Sequence, residues 1–156
     1  MRNIELSIIL PIYNEEEVIQ DFTNNLKICL DKLFKDKDLS YEIIFCLDPS
    51  TDNSELLLKN MAKKFKEIKI LKTSRKFGQP ACQIAGIENC SGEYCIVMDC
   101  DFQDPIELIP KLYKKIKEEN LDVVNCRRKS RNEINLFYKF LTFIGYNLIN
   151  LLSETK

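Results

Sequence analysis

With 156 residues, 45% of them hydrophobic and 30% charged, the chain is long enough for one domain with a buried core. Acidic and basic residues nearly cancel to a formal net charge of −1, so the overall charge favours no nucleic-acid partner. Residues 111–156 nevertheless carry an excess of Lys and Arg, which suits an anionic partner at that end of the chain.

Five apolar runs of strand length occur along the chain, at residues 6–12, 41–47, 68–73, 94–98 and 121–126. The first is continuous and is closed by Pro11 and Asn14, which is typical of a strand buried on both faces. We therefore expect five strands.

Helical patterns separate these runs. Asn14 with Glu17 three residues later predicts a capping box at the start of the first helix. The short polar side chains of residues 48–52 predict a turn and a second helix start, residues 81–87 predict a small-residue helix, and Pro105 suits the first turn of another. This alternation predicts an α/β fold of three layers, with a mostly parallel central sheet and helices on both faces.

Residues 135–152 differ in character from the rest of the chain. Their polar side chains fall near one helical face, while leucine, isoleucine and phenylalanine cover the remainder. One interpretation is an ordinary core helix; we favour peripheral membrane contact, because a basic run precedes the segment. We therefore divide the chain into a globular domain at residues 1–134 and an amphipathic, membrane-interfacial helix at residues 135–156.

The seven cysteines include no Cys-x-x-Cys pair, and the chain has no histidine to complete a common zinc site. Cys46, Cys95 and Cys126 lie in apolar runs, so we expect buried free thiols in a reducing compartment. Residues 1–5 lack the apolar region of a signal peptide, and no uncharged apolar run reaches the ~20 residues of a membrane span. The expected location is the cytoplasm, at most at the cytoplasmic face of the membrane.

Polar side chains follow every predicted strand. They are Tyr13-Asn14-Glu15, Asp48, Ser74-Arg75, Asp99 with Asp101, and Arg127-Arg128. The carboxyl ends of parallel strands meet at one edge of a sheet, where the ligands of such folds bind. We therefore expect these side chains to surround one site.

The acidic turn Asp99-Cys100-Asp101 is the strongest candidate within that site. Two carboxylates one residue apart suit Mg²⁺ or Mn²⁺, whose other positions water and phosphate oxygens fill. Alone, an Asp-x-Asp is more often a turn or a helix cap, and Asp104 fits a cap for the helix at Pro105. The neighbouring motifs favour the metal.

Four motifs follow one another in a specific order. They are Pro-x-Tyr-Asn-Glu at 11–15, Asp-Pro-Ser-Thr-Asp at 48–52, Arg-Lys-Phe-Gly at 75–78 and Asp-x-Asp-x-Gln-Asp-Pro at 99–105. Over residues 5–152 the chain resembles the inverting family-two glycosyltransferases with a GT-A, Rossmann-like fold. Within them it is most similar to the polyprenyl-phosphate and dolichyl-phosphate hexosyltransferases, of the bactoprenol glucosyltransferase or dolichyl-phosphate mannosyltransferase type. The resemblance implies transfer of a hexose from a UDP- or GDP-sugar to a polyprenyl phosphate, with inversion.

The resemblance also implies roles for individual residues. The implied nucleotide-sugar-binding residues are Pro11, Tyr13, Glu15, Asp48, Arg75, Gly78, Asp99 and Gln103. Asp99 and Asp101 match the positions that bind the divalent metal, and Arg128 and Arg131 match basic residues that contact the acceptor phosphate. Guanidinium groups suit a phosphate because each can bind two oxygens, although a solvated charge run is the simpler interpretation. We expect Asp101, Arg128 and Arg131 to be the catalytic residues.

The chain departs from the family pattern at three points. Leu47 stands in place of the first turn acid, Pro49 replaces the usual glycine, and Gln79-Pro80 stands where Lys-Glu is more usual after the Phe-Gly pair. The chain is also short for a catalytic domain of this family, as expected of one truncated at its C-terminus.

Two further hypotheses stay open. One is a nucleotide-sugar-binding module or partner subunit that lacks turnover. The other is an unrelated nucleotide-binding α/β domain whose acids bind Mg²⁺ alone, which the missing Gly-x-x-x-x-Gly-Lys stretch disfavours. Homo-oligomerisation is compatible with all three.

Overall fold

A computed structural model describes residues 3–35 and 39–127 of the chain. The strands are β1 (Asn3–Ile12), β2 (Leu39–Leu47), β3 (Ile68–Lys72) and β4 (Tyr94–Val97). The helices are α1 (Ile19–Phe34), α2 (Ser54–Lys64), α3 (Gln79–Glu88) and α4 (Ile109–Glu118), the last preceded by a 3₁₀ turn at Ile106–Leu108. The described strands form one sheet in the order β3-β2-β1-β4, and every neighbouring pair is parallel.

The core has two parts because consecutive side chains of a strand point to opposite faces of the sheet. On one face, alternate β1 residues such as Ile8 and Leu10 pack with Phe22 of α1, Leu58 of α2 and Tyr113 of α4. On the other face a smaller cluster joins Ile9, Ile44 and Cys46 to Cys82 of α3. Helices therefore cover both faces, which confirms the predicted α/β architecture.

The close approach of α3 to the sheet depends on Gly86. A β-carbon at this position would lie 2.9 Å from the Cys46 sulfur and closer still to Ile9. Gly86→Ala is therefore expected to lower the free energy of unfolding by about 2 kcal/mol, because the core has to shift to admit one methyl group. Urea unfolding measures this loss, with the exposed Ile84→Ala on the same helix as a control expected within about 0.5 kcal/mol of wild type. Equal stability of Gly86→Ala and wild type would contradict the packing.

The predicted fifth strand at residues 121–126 is wrong. Residues 121–127 form no strand, and Val123 is 78% exposed. The run starts as the C-terminal cap of α4: Asn120 has a φ of 49°, and the Leu121 amide donates back to the Ile116 carbonyl at 3.1 Å. The first residues of the run therefore belong to the end of α4. Among the described residues, the rest of the run does not pair with a neighbouring strand, and an apolar run forms a strand only where such pairing occurs.

The predicted capping box at Asn14 is also wrong. α1 begins at Ile19, and its cap residue, Val18, makes no side-chain cap hydrogen bond. Asn14 instead has a φ of 57°, and its side-chain oxygen accepts from the Thr51 amide at 2.8 Å. A longer-range contact with the β2–α2 loop therefore replaces the local cap.

The expectation for the cysteines holds in part. Cys46 is buried, whereas Cys95 and Cys126 are exposed. Cys95 lies on the strand β4, on the same face as Ile9, but the helix on that face, α3, packs over β1 and β2. The apolar run around Cys95 therefore indicates a strand and not complete burial.

Two buried carboxylates lie on β1 and β2, and each has a lysine partner. Glu42 accepts hydrogen bonds from the Ser7 hydroxyl at 2.7 Å and the Ser91 amide at 2.6 Å, and pairs with Lys69 at 2.5 Å. Burial raises the pKa of Glu42, but these contacts outweigh it and the pKa lies below its ordinary value. Glu5 pairs in the same way with Lys117.

The contacts of the chain divide it into two compact units, Met1–Asp122 and Val123–Lys156. The described part of the second unit, residues 123–127, contains no helix or strand. Over the described ranges, none of the helices is both long and apolar enough to cross a membrane. The predicted membrane-interfacial segment and the two arginines at 128 and 131 lie outside the described residues.

Candidate functional site

A cavity of about 300 Å³ lies where β1, β2 and β4 end and α3 begins. Its lining consists of Pro11, Ile12, Tyr13, Glu15, Asp48, Lys76, Gly78, Gln79, Cys82, Asp99, Cys100 and Asp101. Most of the residues predicted to bind nucleotide and metal therefore surround one space. The arrangement follows from the fold, because the carboxyl ends of parallel strands meet at one edge of the sheet.

Glu15 reaches the cavity from a loop that the β2–α2 turn holds in place. The Glu15 amide donates to the Ser54 hydroxyl at 2.8 Å, and the Glu16 amide donates to an Asp52 carboxylate oxygen at 3.0 Å. The same Asp52 oxygen accepts from the Ser54 hydroxyl at 2.9 Å. Asp52 and Ser54 therefore fix the loop backbone, a role that sequence reasoning missed, although an Asp-x-Ser turn before a helix indicates such contacts.

Asp48 is a buried hydrogen-bond acceptor between the end of β2 and the loop before α3. One carboxylate oxygen accepts from the Thr73 hydroxyl at 2.6 Å, and the other accepts from the amides of Gly78 at 2.7 Å and Phe77 at 3.1 Å. Burial raises the pKa of Asp48, but these bonds outweigh it and hold the pKa below its ordinary value. The Asp48 carboxylate thus fixes the loop that forms one wall of the cavity.

The loop of residues 75–78 closes this wall. The Lys76 ammonium lies 3.5 Å from the centre of the Tyr13 ring, so a cation–π contact joins the loop to the end of β1. Gly78 has a φ of 88°, which a residue with a side chain rarely adopts. Arg75 is exposed, with its guanidinium 4.7 Å from the centre of the Phe77 ring, and does not line the cavity. Lys76 belongs to the predicted motif at 75–78 but was not among the residues predicted to bind the nucleotide.

Three carboxylates, those of Glu15, Asp99 and Asp101, lie close together at the cavity. Burial raises the pKa of Asp99, and Asp101 and Asp104 raise it further. Burial likewise raises the pKa of Glu15, and Asp101, Asp52 and Asp99 add to the rise. This repulsion contrasts with Glu42 and Glu5, whose buried carboxylates each have a lysine. A cation between the acids would relieve the repulsion.

The acidic turn itself has a constrained backbone. The Asp101 carboxylate accepts from the Gln103 amide at 2.9 Å, and Phe102 has a φ of 60°. The Phe102 ring packs edge-on against Phe22 of α1, with ring centres 5.2 Å apart. Gln103 is exposed and does not line the cavity. The turn is therefore anchored to α1 while both acids face the cavity.

The donor set fits a divalent cation that is bound together with a phosphate ligand. In the described part of the chain, no group of three or more ligating side chains is arranged to hold a metal ion. Mg²⁺ bound to a nucleotide typically takes only one or two carboxylates, with phosphate oxygens and water filling the rest of its octahedron. Asp99 and Asp101 meet that requirement.

The fold is that of the GT-A glycosyltransferases. The chain matches a mannosyltransferase, PcManGT from Pyrobaculum calidifontis, in complex with GDP-Man and Mn²⁺, with a TM-score of 0.64 and 18% identity over 88% of this chain and 38% of that one. It also matches S. aureus TarS 1-349 in complex with UDP, with a TM-score of 0.59 and 18% identity over 83% of this chain and 40% of that one.

Sequence comparison identifies the family. Residues 7–155 match the model of glycosyl transferase family 2, and the chain belongs to this family. Among curated proteins it is 33% identical over 151 residues to the undecaprenyl-phosphate 4-deoxy-4-formamido-L-arabinose transferase of Salmonella choleraesuis, covering 96% of this chain and 43% of that one. The chain spans less than half the length of the curated relatives it matches first.

Proposed function

We propose that the protein is an inverting hexosyltransferase, which transfers a hexose from a UDP- or GDP-sugar to a polyprenyl phosphate. The observation that carries the proposal is the acidic turn at the cavity, where the carboxylates of Asp99 and Asp101 lie close to Glu15. It suits a divalent cation with a diphosphate, and such a cation, when bound, would offset the charge of the departing nucleoside diphosphate. A relative named for undecaprenyl phosphate supports the acceptor, and fold neighbours solved with GDP-Man and with UDP support the donor.

Different residues of the site would have different roles. Asp99 and Asp101 would hold Mg²⁺ or Mn²⁺, and the wall formed by Tyr13 and Lys76 offers an aromatic face and a cation to the nucleotide. A lipid phosphate is already ionised near neutral pH and attacks without a strong general base. Positioning of the two substrates and neutralisation of charge would then supply most of the catalysis.

The acceptor side of the proposal rests on residues beyond the described ranges. Arg128 and Arg131 would contact the acceptor phosphate, and residues 135–152 would lie at the cytoplasmic face of the membrane, where a lipid phosphate is presented. These assignments follow from the family resemblance and from the basic run before an apolar segment.

Calorimetry with UDP and GDP tests the donor half of the proposal. We expect one of the two to bind at least tenfold more tightly with Mn²⁺ than with a chelator, because the metal links the diphosphate to the acidic turn. Turnover of UDP-glucose or GDP-mannose onto a short polyprenyl phosphate then tests transfer. Binding without turnover favours a non-catalytic nucleotide-sugar module, whereas the absence of any metal-dependent binding would refute both.

A further inference from the structure

We infer that Gln79 is a positioning residue for the metal-side carboxylate of Asp99, and that it favours Mg²⁺ or Mn²⁺ over Ca²⁺ at this site. The inference rests on the proposed function, since it concerns the cation that would hold the donor diphosphate. Its basis is a direct contact: the Gln79 side-chain amide nitrogen donates to Asp99 Oδ1 at 2.7 Å.

Gln79 is placed by the turn that precedes it. Gly78, with its φ of 88°, ends the loop that Asp48 holds, and Gln79 is the first residue of α3. From there the side chain crosses the carboxyl edge of the sheet to a residue twenty positions further along the chain. Both Gln79 and Asp99 line the cavity.

The contact makes the two oxygens of the Asp99 carboxylate inequivalent. Oδ1 accepts the hydrogen bond from Gln79, so Oδ2 is the oxygen that this contact leaves open to a cation. An amide nitrogen can only donate, so the bond fixes the orientation of the Asp99 carboxylate from one side. Gln79 therefore favours coordination of the metal through one oxygen.

Coordination through one oxygen distinguishes between cations. Mg²⁺ takes six ligands in a strict octahedron, with carboxylates commonly bound through one oxygen. Ca²⁺ takes six to eight ligands and readily accepts both oxygens of a carboxylate. A carboxylate with one oxygen engaged by Gln79 thus suits the smaller cation.

The test compares two glutamines of α3. Gln79→Met keeps the length of the side chain but removes the donor, and Gln83→Met makes the same change one helical turn further along, outside the cavity lining. For each variant and for wild type, calorimetry measures the dissociation constant of UDP and GDP with Mn²⁺ and with Ca²⁺, and electron paramagnetic resonance measures Mn²⁺ binding without nucleotide.

We expect Gln79→Met to weaken Mn²⁺-supported nucleotide binding by about tenfold, the usual effect of one hydrogen bond to a charged group. Ca²⁺-supported binding should change less than twofold, so the preference for Mn²⁺ over Ca²⁺ falls. Gln83→Met should match wild type, and Gln79→Lys, which restores a donor, should recover part of the Mn²⁺ preference. Thermal melting checks that all variants are folded.

Two outcomes overturn the inference in distinguishable ways. If wild type binds the nucleotide with Mn²⁺ and Gln79→Met leaves the ratio of Mn²⁺ to Ca²⁺ affinities unchanged, Gln79 does not position Asp99 while the proposed function stands. If wild type shows no metal-dependent binding of either nucleotide, the proposed function fails and the assignment of Gln79 fails with it.

Discussion

Replacing Asp101 or Asp99 with asparagine is expected to weaken Mn²⁺-dependent nucleoside-diphosphate binding by about 100-fold or more. Loss of a partner that merely orients a metal ligand already costs 10–100-fold in metal affinity, so loss of a ligand carboxylate should cost at least as much. Asparagine preserves the shape of the side chain and removes only the charge. Calorimetry with UDP and GDP, with and without Mn²⁺, measures the effect.

The stability of the Asp99→Asn variant separates a ligand from a structural residue. Burial, Asp101 and Asp104 all raise the pKa of Asp99, so its ionised form destabilises the metal-free fold. The neutral asparagine can still accept the hydrogen bond from Gln79, and the free energy of unfolding at pH 7 should therefore rise slightly. Asp104→Asn, on the same turn but outside the cavity lining, is the control and should change nucleotide binding less than twofold. A large effect of the control, or none of Asp99→Asn and Asp101→Asn, would contradict the assignment.

The location of the candidate site could be predicted from the sequence, because it depends on one rule of the fold. Glu15, Asp48 and Asp99 each follow a strand of a parallel sheet, and parallel strands bring such residues to one edge whatever their distance along the chain. In the structure, all three residues line the cavity. The fold class followed from the same alternation of apolar runs and helical patterns.

The contacts within the site could not be predicted, because they join loops that are distant in sequence. The Gln79–Asp99 hydrogen bond spans twenty residues, and Lys76 lies against Tyr13 from a loop more than sixty residues away. Such contacts depend on side-chain reach and loop shape, which motif spacing does not encode. For a similar reason, the predicted capping box at Asn14 is wrong. The Asn14 side chain accepts a hydrogen bond from the Thr51 amide on a neighbouring loop and does not cap α1.

Asp48→Ala is expected to lower the free energy of unfolding by about 3 kcal/mol. The change leaves the partly buried amides of Phe77 and Gly78 without their acceptor, and a buried polar group left unsatisfied costs about 1–3 kcal/mol. Asp48→Asn should cost only about 1 kcal/mol, because a carboxamide oxygen can still accept from both amides while its nitrogen faces the Thr73 hydroxyl. Urea unfolding measures both, with the exposed Asp21→Ala as a control expected within about 0.5 kcal/mol of wild type.

Asp48 should also make the free energy of unfolding depend on pH in the acid range. Because hydrogen bonds outweigh burial and hold the pKa of folded Asp48 below its unfolded value of about 3.9, its contribution to stability is present above about pH 4. It is lost as the pH falls through the folded pKa. The difference in unfolding free energy between wild type and Asp48→Asn should therefore be constant from pH 7 to about pH 5 and shrink towards pH 3. Because Asp48 also holds the loop of residues 75–78, Asp48→Ala should weaken nucleotide binding even where the variant remains folded. If the difference in unfolding free energy between wild type and Asp48→Asn stays constant down to pH 3, the Asp48 carboxylate is not the buried anion that holds this wall of the cavity.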